Sequence, residues 1–250
     1  MTHRLTGFGF GPIQAGLFVK EAFHTGSFER LVVAEIDPCL VHALRANGQS
    51  YAVNVAHADG IEVVTVNGVE LLNPSCAQDL QALQTALVQS TEIVTALPTV
   101  NLFDQGEPSI ARLIAASLDT GSSGARLVYT AENHNHAAEI LEERVQHHAP
   151  RPSVPVQFLN TVVGKMSRVV TDPKEIRDRD LCPIAPGIER AFLVEAFNHI
   201  LATKCTLQGM TPGISVFEQK PELVPFEEAK LYGHNAIHAL MAYLGALRQY

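Results

Sequence analysis

Three side chains near the end of the chain have the types and spacing to take a proton from an alcohol: Lys230, Asn235 and His238. Oxidation of a carbinol needs a base for the hydroxyl proton as hydride leaves the carbon. A lysine can be that base if burial lowers its pKa from about 10.4 toward 7–8. Amide donors can then hold the developing alkoxide. At about 100° per residue on a helix, Lys230 and His238 lie roughly 80° apart, with Asn235 roughly 60° beyond His238. All three can point into one cleft, and Ile237, Leu240, Met241 and Leu244 supply apolar packing around them. The same spacing also suits a solvated lysine, a helix-interior asparagine and a silent histidine, so this helix does not assign the chemistry by itself.

Hydride needs an acceptor, and the start of the chain offers a place for one. Gly7-Phe8-Gly9-Phe10-Gly11-Pro12-Ile13-Gln14-Ala15-Gly16 joins a first strand to a first helix. Glycines there allow a tight turn and close approach to a pyrophosphate, and the helix N-terminus supplies donors and a positive dipole. The best register uses Gly9 and Gly11 as the first two glycines, with Pro12 and Ile13 opening the helix. Gln14 then stands at the third glycine position, and Gly16 follows two residues later. Glu35 closes the second strand, where an acid bonds ribose hydroxyls. An acid there repels a 2′-phosphate, which favours NAD over NADP. Without the strand–turn–helix context, the same residues read as a glycine-rich turn and an acid capping a strand.

The elements that must position these residues alternate between strand and helix. Leu5–Phe8 reads as a strand, Pro12 to about Phe23 as a helix, and Leu31–Ile36 as a buried parallel strand. Pro38–Ala46 reads as a helix ending at Asn47-Gly48. Tyr51–Val55 and Ile61–Val66, with turns at Asp59-Gly60 and Asn67-Gly68, read as an antiparallel insert. Helices follow at Ala77–Val88, Ser109–Ser117 and His136–His147. Strands follow at Ile93–Leu97, Leu127–Thr130 and Val156–Leu159, with a Gly/Ser loop at Asp119–Gly124. A helix is expected near Glu189–Thr203, and a last one from about Phe226. Short βα connections argue for an α/β fold: a Rossmann-type, doubly wound parallel sheet with an antiparallel insert. The expected division is a nucleotide-binding domain over 1–150, the remainder of the sheet domain and a connection over 151–225, and over 226–250 the first helix of a mostly helical substrate domain.

Composition narrows the function classes. A chain of 250 residues with 46% hydrophobic content can bury a real core. Its formal net charge of -8 argues against a nucleic-acid partner. No apolar run reaches the length of a membrane span, and the first residues lack a signal-peptide pattern. Cys39, Cys76, Cys182 and Cys205 are scattered without a Cys-x-x-Cys, which suggests neither disulfide framework nor zinc site, and a reducing, cytoplasmic compartment. His134 and His136 do not form a metal-binding pattern, and no Tyr-x-x-x-Lys stands in the sequence.

Taken in order, these motifs resemble the long-chain polyol dehydrogenases, the mannitol dehydrogenase and mannitol-1-phosphate dehydrogenase group. Lys230-Leu231-Tyr232, Asn235, His238-Ala239-Leu240 and Tyr243-Leu244-Gly245 resemble that family's catalytic helix. Gly9-Phe10-Gly11-Pro12-Ile13 with Gly16 resembles its nucleotide turn. Glu132-Asn133 resembles its acid–asparagine pair beside the cofactor, and Phe158-Leu159-Asn160-Thr161-Val162-Val163 its Asn-x-Val-Val segment. The resemblance implies that Lys230 is the base in polyol oxidation and the acid in ketose reduction. It implies that Asn160 and Asn235 hold the oxyanion, that His238 orients substrate, and that Glu132 and Asn133 line the cofactor cleft. NAD is the implied cofactor, with no metal.

The chain departs from the family pattern at Gln14, at Gly164-Lys165 where Asp-Arg usually stands, and in stopping about one helix into the C-terminal domain. The implied substrates are mannitol, mannitol 1-phosphate and hexuronates, with the phosphorylated hexitol favoured. Lys165, Arg168 and Arg190 could bind an anionic end or simply be surface residues. A nucleotide-binding module without turnover is the alternative. Self-association through the apolar face of the last helix is a further expectation.

Overall fold

The computed structural model describes residues 2–119, 124–197 and 200–248. Most of the loop expected at Asp119–Gly124 therefore lies outside the described residues. Twelve strands are present among them: β1 (His3–Phe8), β2 (Phe28–Ala34), β3 (Tyr51–Ala56), β4 (Ile61–Val66), β5 (Val69–Leu72), β6 (Glu92–Thr95), β7 (Arg126–Thr130), β8 (Val156–Val163), β9 (Ser167–Val170), β10 (Ala191–Glu195), β11 (Ile200–Thr203) and β12 (Phe217–Lys220). The α-helices are α1 (Lys20–Thr25), α2 (Pro38–Ala46), α3 (Ala77–Gln89), α4 (Ile110–Leu118), α5 (Ala137–His148), α6 (Pro173–Asp178), α7 (Val224–Ala229) and α8 (Ala236–Leu247). Two stretches of π-helical backbone, Gln14–Val19 and Lys230–Asn235, lead into α1 and α8.

Eight strands form the main sheet in the order β12-β11-β8-β7-β6-β1-β2-β5. The six from β8 to β5 are parallel, in the doubly wound order that leaves a crevice where the winding reverses, between β1 and β6. The expected α/β class is therefore the observed one. The period-2 rule sorts the core onto two faces. Leu31, Val33, Leu127 and Tyr129 pack on one side, and Val32, Ala34 and Val128 on the other. Each face is covered by helices, as a parallel sheet requires.

The antiparallel insert is present as the β3–β4 hairpin, with Tyr51 opposite Val66. It does not extend the main sheet. It joins β10 and β9 in a second sheet of order β4-β3-β10-β9. This corrects the helix expected near Glu189–Thr203, which is strand β10, a short stretch partly outside the described residues, and strand β11. Ala191, Phe192, Leu193 and Val194 are all buried. A run buried on both faces shows no alternation, so its periodicity cannot separate a buried strand from a helix. Pairing with β3 and β9 decides the matter.

The second sheet props up the glycine turn. Tyr51 donates its hydroxyl to Ala15 O at 2.7 Å, and Phe10 packs edge-on against Tyr51 and Phe192. At the other end of the chain, α8 buries none of its residues. Leu247 on it is 82% exposed. No helix among the described residues is long and apolar enough to cross a membrane.

Candidate active site

The first cleft opens at the carboxyl ends of β1, β2 and β6. It has a volume of about 790 Å³, and Gly9, Gly11, Pro12, Ile13 and Glu35 all line it. Gly9 has φ +84°, and a Cβ there would stand 2.9 Å from Ala96 O, so only glycine fits. A Cβ on Gly11 would meet nothing within 4 Å. Its backbone is therefore bare toward the cleft, which is what close approach of a pyrophosphate requires.

Glu35 accepts from Phe10 N at 2.9 Å and from Asp37 N at 2.8 Å. It ties the turn to the end of β2. Sequence reasoning passed over Asp37. Its carboxylate caps α2 through Cys39 N and Leu40 N and accepts from Arg190 Nη2 at 2.6 Å. The Arg190 guanidinium holds the Asp37 carboxyl below its ordinary value. Arg190 thus belongs to this first cleft and not to the one that contains Lys230.

Gly16 does not face the cleft. A Cβ there would stand 2.5 Å from Val194 Cγ1, so Gly16 sets how closely the first helix packs on β10. Gln14 is fully buried, and its side chain fills the place a Cβ on Gly7 would occupy. Neither polar atom of its amide has a hydrogen-bond partner among the described residues.

The second cleft, of about 630 Å³, gathers Lys230, Asn235 and His238 with Asn133, Lys165 and Arg168. A small cavity of about 70 Å³ adjoins it, lined by Glu132, Asn133, Glu227, Lys230 and Asn235 among others. The π-helical backbone over Lys230–Asn235 has a direct consequence. Bonding from i to i+5 sets residues five apart one above the other. Lys230 and Asn235 therefore share a face more closely than α-helical geometry implies.

Lys230 Nζ donates to Asn133 Oδ1 at 3.4 Å. Burial lowers its pKa, and the carboxylate of Glu227 opposes that shift. Glu227 is itself buried, with Oε2 unpartnered, and burial raises its pKa. It stands one helical turn before Lys230, and its residue type alone does not separate it from its neighbour Glu228.

Three expected residues sit elsewhere. Glu132 accepts from Thr95 Oγ1 and from Leu97 N, both at 2.9 Å. It braces the end of β6, and burial raises its pKa. With Asn133 it lies on the Lys230 side and not among the residues lining the first cleft. Asn160 lines neither cleft. Its Oδ1 accepts from Ala138 N at 2.9 Å and its Nδ2 donates to Glu139 at 2.8 Å. This amide holds the start of α5.

No known family profile matches the chain. Its fold is shared with solved structures. Pseudomonas fluorescens mannitol 2-dehydrogenase, determined as a ternary complex with NAD and D-mannitol, aligns with TM-score 0.74 and 15% identity over 100% of this chain and 59% of its own. A D-sorbitol dehydrogenase in substrate-free form aligns with TM-score 0.80 and 13% identity, over 100% and 60%. An octopine dehydrogenase in complex with NADH and agmatine aligns with TM-score 0.58 and 10% identity, over 92% and 52%. The chain spans less than two thirds of the length of each. At these identities the likeness is one of fold.

Proposed function

We propose that this chain is an NAD-dependent, metal-independent polyol oxidoreductase of the cytoplasm. It interconverts a hexitol or hexitol phosphate and the matching ketose, with mannitol 1-phosphate and fructose 6-phosphate as the favoured pair. The observation that carries this reading is the second cleft, where a half-buried lysine with a lowered pKa meets Asn133, Asn235 and His238. The first cleft fits the dinucleotide through the bare Gly11 backbone and the acid at the end of β2. Bound there, NAD supplies the hydride acceptor.

The residues of the second cleft do the rest. Neutral Lys230 takes the hydroxyl proton, and Asn133 keeps its Nζ aimed by accepting one N–H. The Asn235 amide holds the alkoxide, and His238 orients the polyol from the open side. Glu132 couples the two clefts, since it lines the small cavity beside Lys230 and accepts from Leu97, a residue of the first cleft.

The test is to follow NADH absorbance as fructose 6-phosphate, fructose, fructuronate and tagaturonate are added in turn. Oxidation with one of them is expected. NADH binding without oxidation by any would leave the alternative, a nucleotide-binding module without turnover. The exposed α8 favours that alternative to this extent: no residue of the helix that carries His238 is buried. Self-association through α8 is part of the proposal, and a monomer at every concentration would exclude it.

Glu227 gives a second prediction. Its negative charge favours the protonated form of Lys230. Oxidation needs the neutral form, so its rate rises with pH through the Lys230 pKa. Glu227→Gln removes that charge. The acid limb of the oxidation profile is then expected to move to lower pH, and an unmoved limb would show that Glu227 does not act on Lys230.

A further inference from the structure

One buried charge in the second cleft is not used in the proton transfer proposed for Lys230. Lys165, in the loop between β8 and β9, is 6% exposed, and its Nζ has no hydrogen-bond partner among the described residues. Removing one partner of a buried charge is normally strongly destabilising, because the remaining charge is left uncompensated. A fold that keeps such a group unpaired in a cleft has left it for something that enters the cleft.

The other cations of this wall are committed. Arg168 and Arg179 both pair with Glu175. Lys20, on the nucleotide-turn helix, pairs with Glu21 at 2.7 Å in the interior. The acids near Lys165 do not bond it: Glu195, at the end of β10, accepts instead from Met166 N.

We infer that Lys165 is the recognition point for an anionic group, carboxylate or phosphate, on the end of the substrate away from the carbon beside Lys230. This rests on reading the second cleft as a polyol site. Lys165 and Lys230 both line that cleft, so one extended molecule can meet both. The charge state suits the task. Burial and the nearby Lys20 lower the Lys165 pKa to about 8, against the raising effect of Glu21 and Glu195. At neutral pH the amine is still mostly protonated, and an arriving anion favours the protonated form further. Anion affinity must then fall as pH rises through about 8.

The experiment measures dissociation constants by calorimetry in the presence of NADH, for sorbitol, gluconate, sorbitol 6-phosphate and inorganic phosphate. It uses the whole chain and the variants Lys165→Met and Lys165→Arg at pH 6.5 and 9.5. At pH 6.5 at least one of the two anionic polyols is expected to bind tenfold or more tightly than sorbitol, and which one does separates carboxylate from phosphate. Lys165→Met should reduce that preference to within twofold. Lys165→Arg should keep it, and keep it at pH 9.5 where the unaltered chain loses it. That comparison separates Lys165 from Lys230, which also titrates.

If sorbitol binds as tightly as both anions, or the preference survives Lys165→Met, the inference is overturned. If no polyol binds but inorganic phosphate does, and Lys165→Met abolishes it, the anion site stands and the polyol reading falls. If nothing binds, both fall.

Discussion

Lys230→Ala is expected to lower polyol oxidation by about 100- to 10,000-fold, the range a positioned general base contributes. NADH affinity should stay close to that of the unaltered chain, because Lys230 is not among the residues lining the first cleft, which opens at the carboxyl ends of β1, β2 and β6. The loss should fall mainly on kcat. An amine that only held substrate would raise KM and leave kcat in place. Rescue supplies the sharper readout. Truncation to alanine opens space beside Asn133, which normally accepts from Nζ at 3.4 Å. Small primary amines added to the assay can occupy it, and the recovered rate should rise with the concentration of the neutral amine. Full activity in the variant, or loss that no amine restores, would remove Lys230 from the role of base.

The parts of this site that could be read from sequence are those built from neighbours along the chain. The glycine turn, the acid closing β2 and the Lys–Asn–His spacing each rest on local geometry. So does α2, where Asp37 caps through Cys39 N and Leu40 N and Pro38 occupies the first turn.

What could not be read depends on partners distant in sequence. Strand β10 is a strand because β3 and β9 flank it. Asn160 carries an amide suited to an alkoxide, but the residue just before α5, His136, makes no side-chain cap bond. Asn160 supplies the cap from β8 by accepting from Ala138 N. Glu227 belongs to a pair of acids that reads as a solvated helix face. Its burial and the cavity it shares with Glu132 and Asn133 distinguish it.

The misfit at Gln14 has a physical resolution, and it yields the other large expected effect. A glutamine where the fingerprint has its third glycine ought to push the first helix off the sheet. Here the missing side chain belongs to Gly7, on β1. A Cβ on Gly7 would overlap Gln14 Nε2 and stand 2.8 Å from its Cδ. The glycine has in effect moved from the helix to the strand beneath it.

Gly7→Ala should therefore destabilise the fold by about 1–3 kcal/mol, the usual cost of overpacking. It should also weaken NADH binding, since the displaced helix carries the turn. Gln14→Ala removes the obstructing side chain together with two unpartnered polar atoms, at the expense of a cavity. In the double variant the new methyl occupies part of that cavity. Urea unfolding of the four proteins should then give a favourable coupling of about 1–3 kcal/mol, well outside the roughly 0.5 kcal/mol within which independent sites add. Additive single effects would mean that Gly7 and Gln14 do not compensate one another. The accommodation of glutamine would then have to come from elsewhere in the packing of the first helix.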